Sequence, residues 1–176
     1  MNQLKNNRCY LAGPMDYVAD HGVGWREQVQ IDLADLGLVF LDPCNKPTTE
    51  ALEDADTYTE LREAKERGDY DYAHSIMKPI RHVDLRMVDH SDFLIVHLDL
   101  TVPSFGTIEE ITTGNRSKKP ILIHIEQGKE RVSNWLLGML PHWFIFSTWL
   151  ELYDYVRRVD CGMATDPRWI FFNLEN

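Results

Sequence analysis

Two neighbouring carboxylates, Glu109 and Glu110, follow a short turn that contains Gly106 and Thr107. The turn comes directly after the apolar run 93–98 and leads into a stretch with helical character. Backbone N–H groups at the start of a helix are unpaired, so they can bind an anion and favour an ionised carboxylate in the first helical turn. Such a carboxylate can act as a nucleophile. Glu110 is therefore the residue that we expect to carry chemistry, with Glu109 as its solvated neighbour.

Strand-like and helix-like segments alternate along the rest of the chain, which indicates a parallel sheet. The predicted strands cover residues 8–12, 38–41, 93–98, 121–125 and 143–146. The predicted helices cover residues 25–36, 72–89, the stretch after Gly106, 129–140 and 149–159. This pattern predicts a doubly wound, Rossmann or flavodoxin-like α/β fold with about five parallel strands and helices on both faces. Ligands of such folds bind at the carboxyl ends of the strands.

Two segments do not fit the simple alternation. The charged stretch 45–70 is expected to be a solvated excursion, with residues 58–67 as an exposed helix; a lid over the site is the alternative. The apolar C-terminal tail, from Trp169 to Phe172, is expected to pack on the domain or on a second subunit. With 176 residues, we expect a single domain over residues 1–176.

Composition narrows the classes of function. A net charge of −10 argues against binding to a nucleic acid polymer, although a small nucleotide is still allowed. Three distant cysteines give no disulfide framework and no zinc motif, and the seven histidines show no metal-ligand spacing, so we expect neither a metal nor another cofactor. The polar N-terminus lacks a signal peptide, and no run is long enough to span a membrane, so a cytoplasmic protein is expected.

Three motifs converge on the carboxyl edge of the predicted sheet. They are the run from Tyr10 to Met15 after the first strand, the pair Asp84 and Asp92 eight residues apart, and the turn from Ser104 to Ile111. Together they resemble the nucleoside 2-deoxyribosyltransferase family, including its nucleoside-monophosphate N-glycosidase branch. The resemblance covers most of residues 8–140 and is weakest over 45–70.

The resemblance implies cleavage of an N-glycosidic bond. Its Gly-Thr-x-x-Glu-Ile motif maps the family's nucleophile onto Glu110, which would form a glycosyl ester. Asp84 would handle the proton of the departing base, Asp92 would support it, and Tyr10 would orient Glu110. The expected substrate-binding residues are Gly13, Met15, Asp16, Ser104, Gly106, Thr107, Ser133 and Asn134. The family also implies a small-molecule nucleoside or nucleotide as substrate and a homo-oligomer whose neighbouring subunit helps to close the site.

Ser104 is where the sequence departs from the transferase pattern. Many transferases carry Asp at this position, whereas the hydrolase branch has a Ser that contacts a 5′-phosphate. A hydroxyl and helix N–H groups accept a phosphate that a carboxylate would repel. The loop after the first strand argues against the monophosphate branch, because it has Asp16 and lacks the Ser and Arg that this branch carries there. Arg26 and Arg131 are candidates to replace that Arg, and the sequence does not place either of them. Thr112 also stands where many members have Gly.

Two other functions remain open. The same turn resembles the Gly-Thr-x-x-Glu of the cytokinin-activating phosphoribohydrolases, in which Glu109 would be the matching carboxylate. A nucleotide-binding module without turnover is the second alternative, because this architecture hosts many functions. The sequence does not distinguish transfer from hydrolysis, ribose from deoxyribose, or one base from another.

Overall fold

Apolar, β-branched runs form the centre of one parallel sheet. The computed structural model describes residues 2–46, 51 and 53–169. Five strands, all parallel, pair in the order β2-β1-β3-β4-β5. They are β1 (Arg8–Ala12), β2 (Val39–Leu41), β3 (Phe93–Leu98), β4 (Ile121–Ile125) and β5 (Ile145–Phe146). This is the flavodoxin-like strand order, whose switch point lies between β1 and β3.

Helices cover both faces of the sheet. They are α1 (Val23–Asp32), α2 (Ala55–Glu66), α3 (Tyr70–His90), α4 (Phe105–Arg116), α5 (Asn134–Met139) and α6 (Trp149–Asp160). Alternate side chains of β1 enter two separate cores, Cys9 and Leu11 on one face and Tyr10 and Ala12 on the other. The predicted doubly wound α/β fold is confirmed. None of the helices in the described part of the chain is long and apolar enough to cross a membrane.

The predicted boundaries were wrong mainly in the last third of the chain. Residues 129–140 form a short 3-10 helix, Lys129–Arg131, followed by α5, because Ser133 caps a new helix by accepting a hydrogen bond from the N–H of Leu136. After Pro141 the chain winds into a second 3-10 helix, His142–Phe144, so β5 has only two residues. In contrast, α3 continues through Pro79 as one helix.

The described part of the charged stretch before α3 contains a helix close to the predicted one, and this helix packs by its apolar side while its charged residues are exposed. Asp54 caps α2 by accepting a hydrogen bond of 2.8 Å from the N–H of Thr57. Leu61 and Ala64 of α2 then bury their side chains against Ala73 of α3. Residues 47–50 and 52 lie outside the described residues.

The start of the C-terminal tail packs on the domain itself. The Trp169 ring lies 5.2 Å from Phe93 between centroids, and its indole N–H donates a 3.1 Å hydrogen bond to the Tyr155 hydroxyl. The expected packing of residues 170–172 falls outside the described residues. Large apolar side chains on α4 and α5, such as Phe105 and Trp135, are exposed, and the expected homo-oligomer stays a prediction.

Trp169→Ala is expected to destabilise the protein by about 3–5 kcal/mol, because the side chain is 1% exposed and fills the core beneath β3. Urea unfolding followed by circular dichroism measures the loss. The matched control is Trp135→Ala, at a ring that is 84% exposed, where a change within about 0.5 kcal/mol is expected. Equal effects of the two substitutions would contradict the assignment of Trp169 to the core.

Candidate active site

A pocket of about 430 Å³ opens at the carboxyl ends of β1 and β3. Its walls are the loop after β1, the turn and first residues of α4, one face of α3, and the segment around α2. The site therefore lies at the switch point of the sheet, where ligands of this fold class bind. The predicted residues that line it are Gly13, Met15, Asp16, Asp84, Ser104, Gly106, Thr107 and Glu110.

Glu110 is held at the pocket wall by a buried tyrosine. The Tyr10 hydroxyl donates a 2.6 Å hydrogen bond to Glu110 Oε1. Tyr10 has no exposed surface and sits in the sheet between Leu41 and Leu94, so its hydroxyl has a fixed position. One carboxylate oxygen is thereby oriented by the sheet itself.

The sequence predicted that the start of a helix would stabilise ionised Glu110, and the structure does not show this arrangement. Because α4 begins at Phe105, Glu110 lies in its second turn, and the influence of a helix terminus falls off within the first. The pKa of Glu110 is raised to about 8, chiefly by burial and to a smaller extent by the nearby Asp84 carboxyl, whereas the Tyr10 hydrogen bond opposes the increase. Tyr10 is thus the principal group that favours the ionised form.

Asp84 faces the pocket from α3 and is surrounded by charges from the segment before α2. The Lys46 ammonium lies 2.8 Å from Asp84 Oδ1, an ion pair whose alignment does not meet that of a hydrogen bond. Burial and then the Glu53 carboxylate raise the pKa of Asp84 to about 7, and Lys46 opposes them. Near neutral pH, Asp84 and Glu110 are therefore two partly buried acids that both retain protons in part.

Ser104 lies at the start of α4 and lines the pocket. Ser104 occupies the N-cap position, but its side chain makes no capping hydrogen bond. A Cβ atom added at Gly106 would meet nothing within 4 Å, so space is open beside the turn. Farther out, Arg81 of α3 pairs with Glu109 at the mouth. The Ser104 hydroxyl is thus available to a ligand, whereas Glu109 is engaged.

The loop after β1 is fixed from below by Arg26. This buried guanidinium donates hydrogen bonds to three carbonyl oxygens, those of Leu11 at 3.2 Å, Gly13 at 2.9 Å and Gly22 at 2.8 Å. Gly13 also lies so close to Trp25 that an added Cβ would come within 2.7 Å of its ring. Arg26 is therefore a support for the loop and does not line the pocket; Arg131 lies on an exposed 3-10 helix outside it.

Three of the predicted site residues are not brought to the pocket. Asp92 precedes β3 at the opposite end of the sheet, where it accepts hydrogen bonds from the backbone N–H and the guanidinium of Arg8. The six residues of β3, at about 3.3 Å each, separate it from the carboxyl edge. Ser133 and Asn134 begin α5 and do not line the pocket. Within this chain, the site is formed without these residues.

The structure adds pocket residues that sequence reasoning missed. Glu53 and Tyr58 come from the charged stretch, and Met77, Arg81 and Leu85 line one face of α3 beside Asp84. Lys46, also from the charged stretch, does not line the pocket but pairs with Glu53 and Asp84. The spacing 77, 81, 84, 85 is helical and could have been noticed from the position of Asp84. The ion pairs of Lys46 join separate segments, and no local sequence pattern signals them.

Two histidines that showed no metal-ligand spacing in the sequence are neighbours in the structure. His97 and His124 stand side by side on β3 and β4, with their Nδ1 atoms 3.0 Å apart, and the ligand atoms of these two and Glu126 lie within 4.8 Å of one another. One proton between the two Nδ1 atoms satisfies that contact as a hydrogen bond. Burial lowers the pKa of His97 to about 4, which agrees with neutral rings stacked under Trp149.

The strand order and the carboxylate-lined pocket at the switch point define a doubly wound, flavodoxin-like α/β protein. Two solved structures share this fold over nearly their whole length. One is a 2-deoxyribosyltransferase from Bacillus psychrosaccharolyticus, at 16% identity and a TM-score of 0.55, with 84% of this chain and 91% of that chain covered. The other is a 2-deoxyribosyltransferase from Leishmania mexicana, at 17% identity and a TM-score of 0.55, with coverages of 85% and 95%.

No family model and no curated protein sequence match the chain. At these identities the structural likeness is one of fold. It confirms the architecture that the sequence motifs predicted, and the roles of individual residues rest on the geometry of the pocket.

The raised pKa values of Glu110 and Asp84 make stability depend on pH. The folded protein binds these protons more tightly than the unfolded chain does, so their contribution is fully present below about pH 4 and is lost as the pH rises through about 7 to 8. Glu110→Gln is therefore expected to raise the free energy of unfolding by about 1–3 kcal/mol at pH 8.5, with little effect at pH 5. Urea unfolding at the two pH values measures this.

The neighbouring substitution Glu109→Gln is the matched control. Arg81 lowers the pKa of Glu109, so the sign is reversed, and removal of this exposed pair is expected to cost at most about 1 kcal/mol. If Glu110→Gln destabilises the protein at both pH values, burial of the ionised Glu110 side chain does not lower the free energy of unfolding, and the prediction is wrong.

Proposed function

We propose that this protein cleaves the N-glycosidic bond of a 2′-deoxynucleoside or its 5′-monophosphate, with Glu110 as the nucleophile. The observation that carries the proposal is a carboxyl group, Glu110, that the Tyr10 hydroxyl fixes at 2.6 Å in a pocket lined by a second carboxyl group, Asp84. Two carboxyl groups in different environments are what glycosidic bond cleavage requires. The fold shared with two 2-deoxyribosyltransferases adds to this support.

In the first step, the free oxygen of the Glu110 carboxylate attacks the anomeric carbon of the sugar. The bond from that carbon to the base nitrogen breaks, its electron pair stays on the base, and protonated Asp84 supplies the proton that makes the base a neutral leaving group. The developing positive charge on the sugar favours the ionised form of Glu110 at this moment. The products are a glycosyl ester of Glu110, an Asp84 carboxylate and a free base.

In the second step, water or another base attacks the anomeric carbon and the ester bond to Glu110 breaks. The Asp84 carboxylate takes the proton that the attacking group loses, which regenerates the Asp84 acid and the Glu110 carboxylate. Attack by water gives hydrolysis, and attack by a base gives transfer of the sugar. Tyr10 donates to Glu110 throughout and stabilises the carboxylate as it departs.

Glu110→Ala is expected to reduce base release by about a thousandfold or more, because the nucleophile is lost, whereas Glu109→Ala should keep activity within about tenfold. Chromatography of free base measures both variants, with deoxynucleosides, ribonucleosides and their 5′-monophosphates as substrates.

The reverse order of effects would favour the phosphoribohydrolase alternative, in which Glu109 is the matching carboxylate. Tight binding of a nucleotide without any release of base, unchanged in Glu110→Gln, would favour a binding module instead.

Ser104→Asp is expected to lower kcat/KM for 5′-monophosphates by about tenfold or more relative to the corresponding nucleosides, since a carboxylate at the start of α4 would repel the phosphate. The ratio of the two substrates in one preparation cancels differences in the amount of folded enzyme. Ser104→Ala is the control, because it removes the hydroxyl without adding charge. An unchanged ratio in Ser104→Asp would place the 5′ end of the substrate elsewhere.

A further inference from the structure

Lys46 is a buried lysine whose charge lies between two carboxylates. Its side chain has no exposed surface, and its ammonium lies 2.8 Å from Glu53 Oε2 and 2.8 Å from Asp84 Oδ1. A third contact is the carbonyl oxygen of Ala51, which accepts a hydrogen bond at 3.1 Å. A buried ammonium is stable only with such partners. Lys46 therefore joins the segment before α2 to the pocket face of α3.

Glu53 is anchored on both of its oxygens. Oε2 accepts from Lys46, and Oε1 accepts a 3.0 Å hydrogen bond from the Tyr58 hydroxyl. The Tyr58 ring in turn stacks on His21, with centroids 4.4 Å apart. The position of the Glu53 charge is thus set by α2 and by the loop before α1.

Charged and titratable groups face the Asp84–Glu110 pair from every surrounding element. They are Tyr10 from β1, Asp16 and Tyr17 from the loop after β1, Arg26 from α1, Lys46 and Glu53 from the segment before α2, Tyr58 from α2, Arg81 from α3 and Glu109 from α4. Arg81 and Glu109 pair with each other, and Arg26 lies beneath the first loop. Lys46 and Glu53 are therefore the charges that act on Asp84 directly.

These two charges act on Asp84 in opposite directions. The Glu53 carboxylate raises the pKa of Asp84 by repulsion, and the Lys46 ammonium lowers it. With Lys46 alone, Asp84 would form a simple ion pair and give up its proton. With Glu53 also bound to Lys46, the two charges nearly cancel, and burial keeps the proton on Asp84.

We propose that Lys46 and Glu53 are positioning residues that set how much of Asp84 carries the proton needed by the departing base. This role rests on the proposed function, because it assigns Asp84 as the proton donor. The proposal also assigns a role to the charged segment before α3, because this segment supplies the two charges that act on Asp84.

The two residues can be tested separately because their removal has opposite consequences. In Glu53→Gln, Lys46 is left uncompensated, so the pKa of Asp84 falls; the pH optimum of kcat/KM should move down by about half a unit or more, and kcat/KM at pH 7 should fall about tenfold. In Lys46→Met, the attraction is lost and the pKa of Asp84 rises, so the optimum should move up. A residue that only supports the fold would lower activity without such opposite movements.

A readout without turnover separates this inference from the proposed function. Carbon-13 NMR of aspartate side-chain carboxyls follows the titration of Asp84 in the ligand-free protein, with its signal identified by its loss in Asp84→Asn. The signal should titrate at lower pH in Glu53→Gln and at higher pH in Lys46→Met. Glu63→Gln on the exposed face of α2 is the matched control and should leave the titration unchanged.

Lys46→Met leaves two buried carboxylates without their cation, so its folding is checked by circular dichroism. If it does not fold, the double variant Lys46→Met/Glu53→Gln replaces it, and its Asp84 signal should titrate above that of Glu53→Gln. Shifts in the same direction, or none, in folded variants overturn the inference. Opposite NMR shifts in a protein that releases no base support the charge arrangement and overturn the proposed function.

Discussion

The hydrogen bond between Tyr10 and Glu110 is the contact on which the arrangement of the site depends. A carboxylate placed against an apolar sheet loses hydration, and it is tolerated only where a donor replaces the lost water. Tyr10 can act as that donor because β1 lies between β2 and β3, which gives its ring no freedom to move. The position of β1 therefore determines where α4 can present an acid.

The pocket contains more acid than base. Glu53, Asp84 and Glu110 all line it, and within the described part of the chain the buried ammonium of Lys46 pairs with the first two. An excess of negative charge is costly before a substrate binds, but it is complementary to a sugar that becomes cationic in the transition state. Under the proposed reaction, this negative charge stabilises the sugar as its glycosidic bond breaks.

The sequence predicted the parts of the fold that depend on burial. The strands β3 and β4 are apolar runs covered on both faces, and their predicted limits, 93–98 and 121–125, match the structure. At β5 the prediction was too long, because Pro141 and the aromatic residues after it turn into a 3-10 helix, a choice that periodicity cannot show.

The sequence predicted site residues that lie at the carboxyl ends of the strands. It did not predict those that other segments bring to the site. Tyr10 and Glu110 were found in this way. Asp92 was misplaced because α3 runs against the strands: eight residues beyond Asp84, at about 1.5 Å per helical residue, the chain has crossed to the other end of the sheet. Lys46 and Glu53 were missed because ion pairs between residues that are not sequence neighbours produce no periodic pattern in a polar stretch.

The long sequence separation of the central pair has a consequence for how this protein assembles. Tyr10 and Glu110 are 100 residues apart, and closing a loop of that length costs about 4 kcal/mol of chain entropy. No fragment that ends before α4 can contain the contact. During synthesis, β1 emerges long before its partner, so Glu110 remains an ordinary hydrated carboxylate until the sheet is assembled around it. The burial that raises the pKa of this side chain therefore arises only with the assembled sheet.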